Sequence, residues 1–229
     1  MKQSARGAGN SIVLLTAVVA GAVGMMGLAG WTIGIPALKS VLPGAVEMKA
    51  NAAVALLMAA GALFILDRKR SPATVRQRQI LALAVALLGL ATFGEYVFGW
   101  QRGIDELLFR DTANADDAIR GRMSPYSAVA FASIGLALIA VPIPTLWPLA
   151  RLSASSAIMI GAVSVIGYLW NAVELTTDLL LPPVALHTAV SLVLLEAGGA
   201  GRALRGACPC VRRRGSGACE PRFDSRAAR

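Results

Sequence analysis

The sequence predicts an all-α fold, an integral membrane bundle of about six transmembrane helices built as three helical hairpins, from three observations. Of the 229 residues, 56% are apolar and only 15% charged, a balance outside the usual soluble range. Several runs approach the roughly 20 apolar residues that a helix needs to cross a hydrocarbon core. Those runs lack the alternation of a barrel strand and are far longer than one, so they read as helices.

In chain order the spans read as Ser11 to Ile35, Asn51 to Leu66, Ile80 to Phe98, Tyr126 to Ile143, Ser153 to Asn171, and a shorter one from Val184 to about Gly198. Lys2 and Arg6 precede the first, so a cleaved signal peptide competes there, but the apolar stretch outlasts a signal core. The sixth is the weakest, because Glu196 interrupts it early. Residues 1–198 thus form one module, followed by a basic tail, 199–229, expected to be disordered.

Charge sets the expected orientation. Lys2 and Arg6 lie before the first span, and Arg68, Lys69, Arg70, Arg76 and Arg78 crowd the connection between the second and third, which places both on the cytoplasmic side. The alternate connections carry less net positive charge: Lys39 and Lys49 against Glu47, then Arg102, Arg110, Arg120 and Arg122 against five carboxylates, then Glu174 and Asp178 with no basic neighbour. Six spans put both termini in the cytoplasm.

The net charge of +9 is mostly a property of the tail, where eight arginines from Ala197 onward face only Glu220 and Asp224. That location argues against nucleic acid and for contact with anionic lipid headgroups, worth about 1 kcal/mol per basic group. Cys208, Cys210 and Cys219 lack the paired spacing of a zinc site and read as reduced cytoplasmic thiols.

An internal repeat is the most informative feature. Met48-Lys49-Ala50-Asn51-Ala52-Ala53, Met123-Ser124-Pro125-Tyr126-Ser127-Ala128 and Val184-Ala185-Leu186-His187-Thr188-Ala189 open the second, fourth and sixth spans in one register. Each follows a span ending in aromatics: Trp31, then Tyr96, Phe98 and Trp100, then Tyr168 and Trp170. Gly21, Gly24, Gly27 and Gly30, with Gly89, Gly94, Gly161 and Gly167, offer small faces for close helix packing in lipid.

Glu95-Tyr96-Val97-Phe98-Gly99-Trp100, Gly103-Ile104-Asp105-Glu106-Leu107-Leu108-Phe109-Arg110-Asp111 and Gly121-Arg122-Met123-Ser124-Pro125 together resemble the multi-pass N-terminal sensor region of bacterial sensor histidine kinases and hybrid kinases. Pro43 to Asn51 and Ala185 to Ala189 look like the matching elements of the other hairpins, so the resemblance covers roughly Ser11 to Leu195. It implies a sensory module in a bacterial inner membrane, normally followed by kinase domains. The sequence holds one histidine, His187, inside an apolar run, and so offers no phosphoacceptor on a soluble helix. Phosphate-cradling, dinucleotide, H-E-x-x-H and G-x-S-x-G motifs are missing as well, so no catalytic residue is expected. No metal or cofactor is expected either, a bis-histidine haem being excluded by the single histidine. The Arg, Gly and Cys content of the tail reads as a frameshifted continuation of a longer sensor.

Ionisable groups beside apolar spans are the candidate sensing residues, because charge inside a membrane is costly. Glu95 falls one turn before the outer end of the third span, with Tyr96 and Trp100 beside it, and Glu174 lies just beyond the fifth. His187 aligns by the repeat with Asn51 and Tyr126. If the hairpins share a centre, these groups converge on an outward pocket rimmed by Trp31, Trp100 and Trp170; the plainer reading makes them interfacial anchors. In the long loop, Ile104, Leu107 and Leu108 recur at helical spacing, suggesting a surface helix. Asp111, Asp116 and Asp117 lack EF-hand spacing. Two functions fit: a sensory module partnered by the lipid bilayer and by a second copy in a homodimer, or a small transporter or channel. Spans nearly free of midplane charge favour the first.

Overall fold

The computed structural model describes residues 2–41, 46–66, 71–100, 108–109, 121–170, 184–206, 210–212 and 219–221. Its elements are α1 (Lys2–Ile33), α2 (Pro36–Lys39), α3 (Ala50–Leu66), α4 (Pro72–Phe98), α5 (Pro125–Ala140), a 3-10 turn at Pro144–Leu146, α6 (Trp147–Leu169), α7 (Leu186–Gly206) and a two-stranded antiparallel pair, β1 (Cys210–Arg212) with β2 (Cys219–Pro221). Three helical stretches are long and apolar enough to cross a membrane: Ser11–Ile33, Pro72–Phe98 and Pro144–Leu169. Three more, Ala50–Leu66, Pro125–Ala140 and Leu186–Gly199, are apolar but shorter.

α1, α4 and α6 all start several residues earlier than the hydrophobic pattern predicts. The Ser71 side chain caps the first turn of α4 in a reciprocal box with Thr74, and Pro72 fits N1, where its missing N–H costs nothing. Pro148 likewise sits in the first turn of α6. α7 continues to Gly206, past the module boundary expected at Gly198. Gly34 and Gly99 end α1 and α4 in the left-handed conformation that stops a helix without steric penalty.

The helices form two concentric sets. α3, α5 and α7 touch one another around a central axis; α1 packs between α3 and α7, α4 between α3 and α5, and α6 between α5 and α7. Each hairpin therefore contributes one outer and one inner helix, and the last closes against the first. The three seams use equivalent atoms. A Cβ added to Gly24 would stand 3.0 Å from the Ala53 carbonyl oxygen, one on Gly89 2.5 Å from that of Ala128, and one on Gly161 2.8 Å from that of Ala189. Ala53, Ala128 and Ala189 are the same position of the repeat, so the register read from the sequence is also the register of packing. Gly94 and Gly167 lie off the seams, with no close neighbour across a helix interface.

Side chains fill the axis in layers of three. Met48, Met123 and Val184 form the first, Ala52, Ser127 and Thr188 the next, then Leu56, Phe131 and Leu192, then Ala59, Ile134 and Leu195, all buried. Steps of four, four and three residues keep these positions on one face of each inner helix. The outer helices instead turn large apolar side chains outward, among them Leu15 and Val18 on α1, Leu83 and Leu87 on α4, and Leu152 and Val163 on α6. A belt of that extent is what a surface looks like when its solvent is lipid.

Candidate functional site

The inner helices begin at one end of the bundle, the cap end, where polar residues gather among apolar ones. A helix start leaves backbone N–H groups without intrahelical partners, and short polar side chains satisfy them there. Ser124 Oγ accepts from the Ser127 N–H at 3.1 Å and shares a 2.9 Å hydrogen bond with the Ser127 hydroxyl. At the start of α3 the Ala52 N–H donates to Asn51 Oδ1 at 2.8 Å.

Aromatics at the ends of the outer helices tie down these starts. Trp31 Nε1 donates to the Met48 carbonyl at 2.8 Å, and the Tyr96 hydroxyl donates to that of Met123 at 3.1 Å. Trp31 and Tyr96 each stand seven residues past a seam glycine, as Tyr168 does in the third hairpin. The Tyr168 hydroxyl is buried as well, but it lies beside the Val46 backbone of the first hairpin and makes no such bond to the start of its own partner helix.

Each of the first two hairpins adds a cation over its aromatic. Lys39 Nζ lies 4.5 Å from the Trp31 ring centre and 3.3 Å from Glu47. The Arg122 guanidinium lies 5.2 Å from the Tyr96 ring centre, pairs with Glu95 at 3.3 Å and donates to the Trp100 carbonyl at 3.2 Å. The Glu95 side chain is 1% exposed, so its charge depends on Arg122 far more than a surface carboxylate would.

Between the three helix starts lies a cavity of about 40 Å³, lined by Met48, Ala52, Met123, Ser127, Ala185 and Thr188, with Glu47 and Arg122 also on its wall. That is room for water rather than for an organic ligand. Among the described residues the Thr188 hydroxyl on this wall finds no hydrogen-bond partner, the setting in which a bound water contributes most, and away from the cavity the same holds for the buried Thr92 hydroxyl and both ring nitrogens of His187.

Of the candidates from the sequence, Glu95 and Tyr96 meet at Arg122, with Trp100 next to them through its carbonyl. Asn51 and His187 are buried at the starts of α3 and α7, whereas Tyr126 is 38% exposed. These three share a repeat position, but it is the following one, Ala52, Ser127 and Thr188, that faces the axis; one residue on a helix turns the side chain by about 100°. Trp31 is half-buried, whereas Trp100 and Trp170 are exposed. Glu174, the suggested surface helix around Ile104 and Leu107, and Asp111, Asp116 and Asp117 lie outside the described residues.

Sequence reasoning gave no site role to Arg122, taken as loop charge and as part of the Gly121-Arg122-Met123-Ser124-Pro125 motif, nor to the pair Ser127 and Thr188. The signal for the pair was present in the layer spacing of the repeat; Arg122 had none, because its pairing with Glu95 is tertiary. Among the described residues no group of three or more His, Cys, Asp or Glu is placed to hold a metal ion. The arrangement can hold water where the three hairpins meet, while the hydrogen bonds and ion pairs described above brace the first and the second hairpin internally. Comparison with protein-family models, with curated proteins and with solved structures finds no match to this chain.

Proposed function

We propose that this chain is a membrane-embedded sensory module, of the kind that forms the input region of sensor histidine kinases, without catalytic activity of its own. Six helices cross the bilayer, the cap end faces outward and both termini lie in the cytoplasm, in keeping with the basic connection from Arg68 to Arg78. The inner helices are short enough to require that the longer outer helices shield their ends, or that the bilayer thins around them. The basic tail rests on anionic headgroups.

One observation carries the reading. The starts of all three inner helices line one small polar cavity, and one of those helices, α7, runs without interruption from Thr188 at the cap to Gly206 at the far end. A cue that shifts the Glu95–Arg122 pair or the cap water thereby acts on a rigid rod leading to the opposite side, a two-state element of the kind that signalling requires. The filled axis supports this over a pore, because Leu56, Phe131 and Leu192 leave no passage along it.

Fusing a histidine kinase domain in helical phase after Gly206 tests the proposal. Autophosphorylation should respond to membrane or periplasmic stress, and Arg122→Ala should lock the chimera in one output. A chimera indifferent to every stress would sink the sensory reading. The transporter reading draws on one specific observation, a carboxylate well inside the bundle at Glu196. Uptake of labelled solutes by proteoliposomes above the empty-vesicle level would favour it instead.

A further inference from the structure

A second cavity, of about 260 Å³, opens at the end opposite the cap, between α3, α5, α6 and α7. Its walls are mostly hydrocarbon, with Leu63, Ile134, Leu138, Ala154 and Ile158 prominent. Glu196 lines it, and the residue is only 4% exposed. This carboxylate has no ion pair or hydrogen bond to any described residue. Its repeat counterparts in the other inner helices are Ala60 and Gly135, so the carboxylate is peculiar to the third hairpin and is not required by the packing scheme.

A buried acid in an apolar chamber is expensive unless something satisfies it. Among the described residues the one cationic side chain on the wall is that of Arg151, which is exposed and forms no ion pair with Glu196. Solvent reaches Arg151, whereas Glu196 is enclosed among apolar walls, so the carboxyl inside is the group that an occupant meets, and a cation brought beside it would favour its ionised form.

We propose that this cavity is a binding site for a small apolar organic amine, its ammonium against Glu196 and its hydrocarbon body among Leu63, Ile134, Leu138 and Ile158. The volume suits a compact hydrocarbon cage or a short branched chain, and the shortage of other polar groups selects against sugars, nucleotides and amino acids. The ammonium group can belong to a free amine or to the head of an aminophospholipid, since both present the same chemistry. The site is independent of the cap and of the sensory reading.

The test uses the full chain in phosphatidylcholine nanodiscs and 1-adamantylamine as the probe, with 1-adamantanol and adamantane-1-carboxylate as matched bodies carrying neutral and negative heads. Empty nanodiscs measure partitioning into lipid. Saturable binding of the amine above that background is expected, at least tenfold weaker for the alcohol and undetectable for the carboxylate. Glu196→Gln should weaken amine binding at least tenfold while leaving the thermal melting point unchanged or higher, because it removes a buried ionisable group that has no partner in the fold. Ala154→Leu, which fills the chamber without touching the carboxylate, should also abolish binding. Adding phosphatidylethanolamine to the discs separates the sources: competition assigns the site to a lipid head, and no competition assigns it to a free amine. Equal binding by Glu196→Gln, a preference for the carboxylate probe, or no saturable binding of the amine would each overturn the proposal.

Discussion

At the scale of single residues, the seam glycines and the cap ion pair carry the sharpest consequences. Gly89→Ala would push a methyl to 2.5 Å from both the Ala128 oxygen and the Ala132 nitrogen, backbone atoms that cannot swing aside. Overpacking of this sort costs about 2 kcal/mol, to be read as reduced thermal stability in detergent. Gly94→Ala on the same helix, where the nearest atom is on Phe98 at 3.9 Å, should be neutral or slightly stabilising through helix propensity alone. A sequence scan treats these glycines alike. What separates them is the direction each faces, which depends on where the neighbouring helix lies. Arg122→Ala should cost about 3 kcal/mol by taking the Arg122 counter-charge away from the buried Glu95, and adding Glu95→Gln should recover much of that loss. A double-mutant cycle on unfolding measures the coupling, and additive single effects would show that the pair contributes nothing.

At the scale of elements, inner and outer helices differ in what surrounds them. α3 and α5 bury most of their residues, many of them alanine, because each is packed on several sides and only small side chains allow such close approach. α4 and α6 bury few and turn leucine, isoleucine and phenylalanine outward. Phe131, fully buried in the layer with Leu56 and Leu192, is the largest side chain on the axis. Phe131→Ala should therefore destabilise the bundle by about 3 kcal/mol through the cavity it leaves, measured by the same unfolding assay. Ser71→Ala removes the cap of α4 and should cost about 1 kcal/mol, seen as faster amide exchange confined to the first turn of that helix.

At the scale of the whole molecule, three hairpins close into a ring, α1 meeting α7 as neighbouring helices meet elsewhere. On the proposed topology, with six crossings and the termini inside, a reporter fused at Arg229 and one inserted near Lys69 should both report the cytoplasm, while one near Lys39 should report the outside. Fluorescent-protein and alkaline-phosphatase fusions at these positions check the pattern. A tail reporter on the outside would mean that α7 fails to cross, the element for which the apolar run is shortest.

Apolar composition, run length and the repeated openings at Met48, Met123 and Val184 were enough to specify helices, their pairing in hairpins and the shared register, since each depends on local pattern and chain connectivity. Which residues face the axis, how Arg122 reaches Glu95, why Gly89 is confined while Gly94 is free, and that Glu196 borders a chamber were decided only by tertiary packing. Those properties arise from the rotation and approach of helices distant in sequence, and a linear pattern carries no term for either.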